Sequence, residues 1–297
     1  MLTGYPAAPP NNFAGLPPEQ SDYKTSPIVI WPIPLDRTTT FISGTRYGPR
    51  AILEASRNME TFDDEVWAEV CDRGIATLPE METQESSLEQ VMANIRTVAG
   101  QLATEDKFVV ALGGEHSLTG PVVSAYAKKH SDLTVLQVDA HADLREAYQQ
   151  NRHSHASVMR RVIEICPAVQ VGIRSLSKEE ALALPELKTK IFWAKDIAGH
   201  PAEEWAEQVV DELSDHVYVT LDLDGFDPAY LPATGTPEPG GLDWYQVTGL
   251  MRTLARKKKV VAMDVVELLP QPGEHASNFL AAKLIYKCLS YLFLKKS

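Results

Sequence analysis

Three side chains of types that commonly bind metal ions occur within five residues, in the segment DAHAD at 139–143. The segment directly follows the apolar run 133–138, which has the composition of a buried β-strand. Carboxylates and imidazoles this close together repel one another or lose hydration on burial, so they need a compensating charge. A divalent cation held by Asp139, His141 and Asp143 is the simplest one. The alternative is that these residues only form a turn and cap a helix.

Two other segments repeat the pattern of an apolar strand that ends in metal-binding residue types. The strand predicted at 108–112 leads into GGEHS at 113–117, which contains His116, and the strand predicted at 217–221 leads into Asp222 and Asp224. In open α/β sheets, ligands bind outside the carboxyl ends of the strands. Three such strands would therefore bring six ligands to one edge of a sheet, which favours a metal centre over a set of turns.

The six side chains predict two cations. Their four carboxylates balance the charge of two divalent ions, and a donor set rich in oxygen and free of thiolate suits Mn²⁺, although it also binds Zn²⁺, Co²⁺ and Ni²⁺. We therefore expect two Mn²⁺ ions per chain. Paired metal ions lower the pKa of a shared water and present a bridging hydroxide near neutral pH, so hydrolysis is the expected chemistry.

Two more residues are candidates for the chemistry itself. His155 follows a polar loop, 144–152, that is predicted to cross the metal edge, and we expect it to transfer protons. A hydrogen-bonded surface histidine at a helix start is the alternative. Glu267 follows the last predicted strand, and its carboxylate is either solvated or faces the metal edge. In the second case its natural partner is a planar guanidinium, which matches a carboxylate through paired hydrogen bonds.

Strands alternate with helices along the chain, which predicts a mostly parallel sheet with helices on both faces. Strands are predicted at 28–31, 108–112, 133–138, 169–173, 190–194, 217–221 and 260–264. Helices are predicted at 50–59, 87–102, 118–129, from 154 onwards, and at 178–186, 202–214, 243–256 and 276–293. We expect seven or eight strands in a single domain that spans residues 1–297.

Composition and charge limit the class of protein. Hydrophobic residues make up 44% of the 297, and no apolar run is long enough to cross a bilayer, so we expect a soluble globular chain with no membrane partner. With 28 basic and 40 acidic residues, the formal charge is −12, which opposes nucleic-acid binding and favours a small cationic substrate. The basic run at 256–259 is the exception, and it is predicted to be a solvated helix C-terminus.

The N-terminus and the cysteines indicate the compartment. Residues 1–20 are rich in Pro and Asn and lack the features of a secretory signal, so an N-terminal surface arm is predicted within residues 1–25. The three cysteines, Cys71, Cys166 and Cys288, are far apart and not in metal-ligand spacing. They are expected to be buried or inert thiols in a reducing compartment, and the protein is expected to be cytoplasmic.

Four ordered motifs resemble those of the ureohydrolase family, which includes arginase and agmatinase. They are GGEHS at 113–117, DAHAD at 139–143, SHAS at 154–157 and LDLDGFDPAYLPATGTPEPGG at 221–241, and the resemblance covers about residues 28–294. It implies a three-layer α/β/α arginase-like fold and urea release from a guanidinium, with His155 as acid/base and Glu267 holding the guanidinium. It also implies a binuclear manganese centre on His116, Asp139, His141, Asp143, Asp222 and Asp224. Ala156 departs from the pattern, because many members carry Gly there.

Within the family, Glu115 and the TGTP stretch at 234–237 resemble agmatinase more than arginase. Hydrolysis of agmatine to putrescine and urea is therefore the expected reaction, in a homotrimer or homohexamer. Other guanidino substrates remain alternatives, among them guanidinobutyrate, guanidinopropionate, proclavaminate precursors, free guanidine and arginine, as does formiminoglutamase activity. Two different classes also remain: an inactive metal-binding partner subunit, and a metal-dependent deacetylase of related fold.

The substrate tail is predicted to meet the loop between Asp143 and His155. Glu146 in this loop could receive an ammonium group, whereas Arg145 or Arg152 could equally bind a carboxylate. The charges of the loop therefore leave the choice between agmatine and arginine open.

Overall fold

The computed structural model describes residues 10–84 and 86–294, and its centre is one sheet of eight strands. The strands are β1 (Ile28–Ile33), β2 (Ile75–Thr77), β3 (Phe108–Gly113), β4 (Thr134–Val138), β5 (Ala168–Ile173), β6 (Thr189–Trp193), β7 (His216–Asp222) and β8 (Lys259–Val266). Their order across the sheet is β2-β1-β3-β8-β7-β4-β5-β6, and every neighbouring pair is parallel. The prediction of about eight strands is confirmed, and the described sheet is wholly rather than mostly parallel.

The strands form because their apolar runs are buried on both faces of the sheet. Every residue of β1, β3, β4 and β5 is buried, as is usual for parallel strands covered on both sides. In β3, Val110 and Leu112 belong to one hydrophobic cluster, whereas Val109 and Ala111 belong to another. The alternation follows from the two-residue period of a strand and divides the core into two layers.

Helices cover both faces of the sheet and complete a three-layer α/β/α fold. On one face, α2 (Gly48–Ser56), α8 (Ala206–Asp211), α9 (Trp244–Lys257) and α10 (Ala276–Phe293) contribute to one cluster. On the other face, α3 (Leu88–Thr104), α4 (Thr119–Tyr126) and α5 (Val158–Ile163) contribute to the second. The remaining helices are short: α1 (Pro18–Ser21), α6 (Lys178–Ala183) and α7 (Ala194–Ile197).

Two predicted helices are divided in the structure. The helix predicted at 202–214 is a 3₁₀ turn, Ala202–Glu204, followed by α8, which ends at Asp211, whereas the one predicted at 178–186 keeps its bounds but consists of α6 and a second 3₁₀ turn, Leu184–Glu186. The N-terminus of α3 is capped, because the Ser87 side chain accepts a hydrogen bond from the Gln90 N–H. No helix in the described part of the chain has the length and apolar content needed to span a bilayer.

The predicted N-terminal arm lies partly in the core. Its first nine residues lie outside the described residues, but Phe13 is fully buried and Leu16 is buried as well. The Phe13 N–H donates to Thr77 Oγ1 in β2, and the Ala14 N–H donates to Ser56 Oγ in α2. Residues 13–16 are therefore packed against β2 and α2 instead of forming a surface arm.

The strand order places the chemically interesting residues at the centre of the sheet. The four central strands are β3, β8, β7 and β4. Asp222 ends β7, and the segments that follow these strands contain Glu267 and the other five predicted metal ligands. Strands β3 and β4 follow one another along the chain, yet β8 and β7 lie between them. Such a reversal of strand order opens a crevice at the carboxyl ends of the strands, where ligands bind.

Candidate metal centre and active site

Carboxylates and imidazoles meet where β3, β4 and β7 end. Two groups have ligand atoms that all lie within 4.8 Å of one another, and Asp139 belongs to both. The first group adds His116 and Asp222, and the second adds His141 and Asp224. Two groups of metal-binding size that share a carboxylate are the arrangement expected for a closely spaced pair of metal ions.

His116 provides the clearest test of whether a cation fits. Its Nδ1 atom lies 3.2 Å from one carboxylate oxygen of each of Asp139, Asp143 and Asp222. This nitrogen is buried, and no oxygen of the described residues is aligned with it as a hydrogen-bond partner. A buried nitrogen lone pair that faces three carboxylates matches a divalent cation, so the residues present fit a metal ion.

A chain of hydrogen bonds from Asp264 orients this imidazole. The Thr220 and Tyr218 hydroxyls each donate to the buried Asp264 carboxylate at 2.6 Å. Because the Thr220 proton is committed to Asp264, Thr220 Oγ1 accepts from His116 Nε2–H at 2.8 Å. The Nδ1 atom is thereby left free for a metal, in the manner of the carboxylate–histidine pairs that support metal ligands.

The electrostatics of the cluster also require added positive charge. Burial raises the pKa of Asp222 well above its usual value, and the neighbouring Asp224 and Asp139 charges raise it further. Burial raises the pKa of Asp143 in the same way. Burial also opposes ionisation of Asp139, but His116 and His141 outweigh it and lower its pKa. Carboxylates whose pKa values are driven apart cannot all ionise together unless a cation joins them.

Backbone strain is concentrated at two of these positions. Asp143 has φ of 53° and Glu267 has φ of 64°, in the left-handed region that non-glycine residues rarely adopt. Such conformations cost on the order of 1 kcal/mol each and persist where surrounding contacts impose them. For Glu267, the N–H donates to Gly114 O at 2.8 Å, and Oε1 accepts from the His116 N–H at 2.7 Å. These bonds aim its carboxylate at the metal edge.

A cavity of about 200 Å³ opens above the cluster. It is lined by six of the eight predicted site residues: His141, Asp143, His155, Asp222, Asp224 and Glu267. His116 and Asp139 are fully buried beside these carboxylates. The structure thus brings all eight predicted residues together around one small space.

A threonine loop holds His155 at the cavity. The loop follows β1, and its Thr38 and Thr40 hydroxyls lie 3.4 Å from His155 Nδ1 and 3.3 Å from His155 Nε2. The His155 N–H also donates to Thr38 Oγ1 at 3.0 Å. Both ring nitrogens therefore lie next to hydroxyls that can relay a proton.

Glu115 anchors that loop and is a site residue that the sequence analysis missed. Its carboxylate is fully buried and accepts the backbone N–H groups of Arg37 and Thr38, both at 2.6 Å, and the Thr38 hydroxyl at 2.8 Å. The sequence analysis used this residue only as a subfamily marker. Its role depends on contacts with residues 77 and 78 positions away in the chain, which sequence spacing does not reveal.

Arg174 is a second residue that the sequence analysis missed. It follows β5, and its guanidinium donates to five backbone carbonyls at 2.7–3.2 Å, those of Gly172, Asp224, Gly225, Phe226 and Glu238. Burial lowers its pKa, whereas the Asp224 charge acts in the opposite direction. A guanidinium has five N–H donors in a rigid plane and can therefore bind several carbonyls at once. These hydrogen bonds hold the segment that contains Asp224 against β5.

The prediction for the 144–152 loop is wrong in part. Glu146 and Arg152 do not line the cavity; they pair with each other at 2.9 Å on the surface. Arg145 does line it, but its Nε lies 3.8 Å from Glu180 and its guanidinium stacks over the Tyr148 ring. Glu180 is buried and accepts the Leu144 N–H at 2.8 Å. The acidic residue of this wall is therefore Glu180, from α6.

Comparison with known proteins identifies the family. The model of the arginase family matches residues 26–290. The chain belongs to the arginase family. It is an arginase-family hydrolase that acts on C–N bonds in amidines, which confirms the resemblance found in the motifs.

Arginase-family relatives align with almost the whole chain. The N(1)-aminopropylagmatine ureohydrolase of Synechocystis is 39% identical over 279 residues, which cover 91% of this chain and 90% of that protein. The agmatinase of Pyrococcus horikoshii is 31% identical, with 89% and 92% covered. The crystal structure of the agmatine ureohydrolase of Thermoplasma volcanium superposes with a TM-score of 0.84 at 33% identity, with 92% of each chain covered.

Asp139→Asn should remove metal, since a neutral amide cannot balance the charge that Asp139 supplies to both ligand groups. Elemental analysis of protein reconstituted with Mn²⁺ should show fewer than two metal ions per chain. Asp196→Asn makes the same chemical change at an exposed site and should leave the metal content as in the wild type. A full metal content in Asp139→Asn would contradict the shared-ligand assignment.

Glu115→Ala should displace the threonine loop without removing metal. It leaves the Arg37 and Thr38 N–H groups and the Thr38 hydroxyl without their acceptor. The resulting shift of His155 should lower kcat by about 10²-fold, the usual effect of a displacement of about 1 Å. Metal content measured on the same sample should be normal. An unchanged kcat would show that Glu115 does not position His155.

Proposed function

We propose that this chain is a manganese-dependent ureohydrolase that releases urea from the guanidinium end of a linear, positively charged compound. The observation that carries the proposal is the pair of ligand groups sharing Asp139, beside a cavity that His155 and Glu267 also line. Family membership supports hydrolysis of an amidine C–N bond, and the shape and charge of the cavity support the choice of substrate.

Two Mn²⁺ ions would be held by His116, Asp139, His141, Asp143, Asp222 and Asp224. The donor set contains carboxylate oxygens and imidazole nitrogens and no sulfur, which suits Mn²⁺. When bound, the ions balance the four carboxylates and activate a water for attack on the guanidinium carbon. The remaining steps are carried out by side chains of this chain.

Glu267 would bind and orient the guanidinium. Burial raises the pKa of its carboxyl well above the usual value, and the nearby Glu115 charge adds to this effect. A guanidinium in the cavity supplies the missing positive charge and offers paired N–H donors that match a carboxylate. Because Glu267 Oε1 already accepts the His116 N–H, the position of the carboxylate is fixed relative to the metal ligands.

His155 would supply the proton that the leaving amine needs. Addition of water to the guanidinium carbon and cleavage of its C–N bond yield urea and an amine, and the nitrogen that leaves must be protonated. His155 lies in the cavity wall with a threonine hydroxyl beside each ring nitrogen. A histidine so placed can take a proton from the attacking water and return it to the amine.

The substrate tail would be an amine rather than a carboxylate. The one arginine of the described cavity wall, Arg145, already lies beside Glu180, so its charge is offset before a substrate arrives. Glu238 lies beside His141, which lines the cavity, with Oε1 3.9 Å from His141 Nε2, and its side chain is 38% exposed. Its carboxylate and the overall charge of −12 favour a cationic tail.

Two amine substrates fit this description. The sequence analysis favours agmatine, and relatives named agmatinase are 31–34% identical to the chain. Relatives named N(1)-aminopropylagmatine ureohydrolase are 36–39% identical, which favours the compound with an added aminopropyl group. We therefore place N(1)-aminopropylagmatine first and agmatine second.

His155→Ala should keep the metal but lower kcat by about 10²- to 10⁴-fold, the usual contribution of a positioned acid/base. His153→Ala is the matched control, because His153 is exposed, lies two positions away and does not line this cavity. Urea release by metal-loaded protein is the measurement. A change confined to KM would contradict the proton-transfer role, and absence of urea release by the wild type would instead favour the inactive-partner alternative.

A substrate panel should separate amine tails from carboxylate tails. We expect kcat/KM for N(1)-aminopropylagmatine and agmatine to exceed the values for arginine and 4-guanidinobutyrate by about tenfold or more, since a buried carboxylate would lack a free donor. Free guanidine should be slower still, because it lacks the tail. If arginine or 4-guanidinobutyrate matched the amine substrates, the tail assignment would be wrong although the metal chemistry would stand.

A further inference from the structure

A second cavity, of about 730 Å³, lies at the edge of the sheet opposite the metal centre. Its wall includes Phe108 and Lys259, the first residues of β3 and β8, whereas the metal centre lies beyond the last residues of these strands. The two sites are thus separated by the length of the sheet. Neither the reaction nor the family motifs use any residue of this second cavity.

The cavity is positively charged in a protein with a formal charge of −12. Among the described residues, four lysines line it, Lys107, Lys129, Lys258 and Lys259, against a single carboxylate, Asp106. His130 also lines it, and burial, His216 and the nearby lysines lower its pKa, which disfavours the charged ring. The lysines are therefore the main source of positive charge.

Two of the four lysine charges are fixed in place without being neutralised. Lys107 Nζ donates to the Tyr23 and Ser26 carbonyls at 2.7 and 2.8 Å, and Lys258 Nζ donates to the Leu213 carbonyl at 2.5 Å. Carbonyl oxygens hold an ammonium group in position but carry no net charge, so the positive electrostatic field of the ammonium group persists.

The other two lysines differ from each other. Lys129 pairs with Asp106 at 2.5 Å, which offsets its charge, whereas Lys259 is exposed and forms no ion pair within residues 10–84 and 86–294. Lys257, their neighbour in the basic run, points elsewhere and pairs with Glu207 and Asp211 at 3.4 Å. The run 256–259 is thus more than a solvated helix end, because its last two residues line this cavity.

The rest of the wall is apolar and offers one polar group without a partner. Phe108, Val261, Leu292 and Phe293 line the cavity, and the Phe108 and Phe293 rings meet edge to face at 5.3 Å. Tyr126 also lines it, is 2% exposed, and its hydroxyl has no hydrogen-bond partner among the described residues. A buried hydroxyl normally donates to an acceptor, so a ligand oxygen would supply the acceptor that the Tyr126 hydroxyl lacks.

We propose that this cavity binds a small organic anion with an apolar body. Its carboxylate or phosphate head lies against Lys258 and Lys259, and its apolar part packs on Phe108, Leu292 and Phe293. Apolar packing supplies most of the binding free energy, and the fixed lysines select the sign of the charge.

The test is calorimetric titration of the metal-loaded protein with octanoate, which has both a head and an apolar body, and separately with inorganic phosphate, which has only a head. Octanoate should bind one per chain and more tightly than phosphate. Equal binding of phosphate would overturn the role of the apolar wall, and no binding of either would overturn the site.

Variants distinguish the contribution of the cavity lysines to octanoate binding from the effect of the overall charge of the protein. The double variant Lys258→Gln/Lys259→Gln should weaken octanoate binding roughly tenfold, since each lysine charge contributes a few-fold. Lys257→Gln removes one charge of the same basic run from a side chain that points away from the cavity, and it should change the affinity by less than about twofold. Equal affinities in the double variant and the wild type would overturn the proposal.

Leu292→Glu tests the same assignment while all lysines remain. It adds a carboxylate to the wall and should also weaken octanoate binding, so the site remains testable if the double variant folds poorly. All variants should retain urea release with agmatine, because the metal centre lies at the other edge of the sheet. Unchanged octanoate affinity in Leu292→Glu would place the ligand outside this cavity.

Discussion

The mutual repulsion of four buried carboxylates at one edge of the sheet is the constraint on which the rest of the structure depends. Asp139, Asp143, Asp222 and Asp224 converge with two imidazoles, and burial alone would force several of them to stay protonated. Positive charge stabilises such a cluster, so the arrangement fits a divalent ion. Strained φ angles at Asp143 and Glu267 show that tertiary contacts impose this arrangement.

Buried charges elsewhere in the chain hold the ligands in place. Asp264 fixes the Thr220 hydroxyl, which orients His116, and Tyr218, Thr220 and Asp222 share one face of β7 because they are two residues apart. Glu115 is satisfied by backbone N–H groups and Arg174 by backbone carbonyls. Each ties a ligand-bearing segment to another loop, so the preorganisation of the site rests on side chains that never touch the substrate.

The convergence of the six candidate metal ligands was predictable because each lies at the end of a strand, or in the segment after it, and the apolar run of that strand is visible in the sequence. Parallel pairing brings the ends of β3, β4 and β7 to one edge, so local patterns were enough to assemble the site. The short strand β2 was missed because three residues are too few to show a hydrophobic periodicity. The burial of Phe13 was missed because it depends on contacts with β2 and α2, which are distant in sequence. Glu146 was predicted instead of Glu180 because the sequence does not show where each side chain points. Glu146 faces surface arginines, whereas Glu180 belongs to the capping box of α6 beneath the loop.

The most direct test of the central claim is a crystal structure of the Mn²⁺-loaded protein with anomalous scattering measured at the manganese edge. The account predicts two anomalous peaks per chain, one contacted by His116, Asp139 and Asp222 and the other by Asp139, His141 and Asp224. A single peak, or a peak at the third cluster of Glu69, Cys71 and Asp72 with none at Asp139, would contradict it.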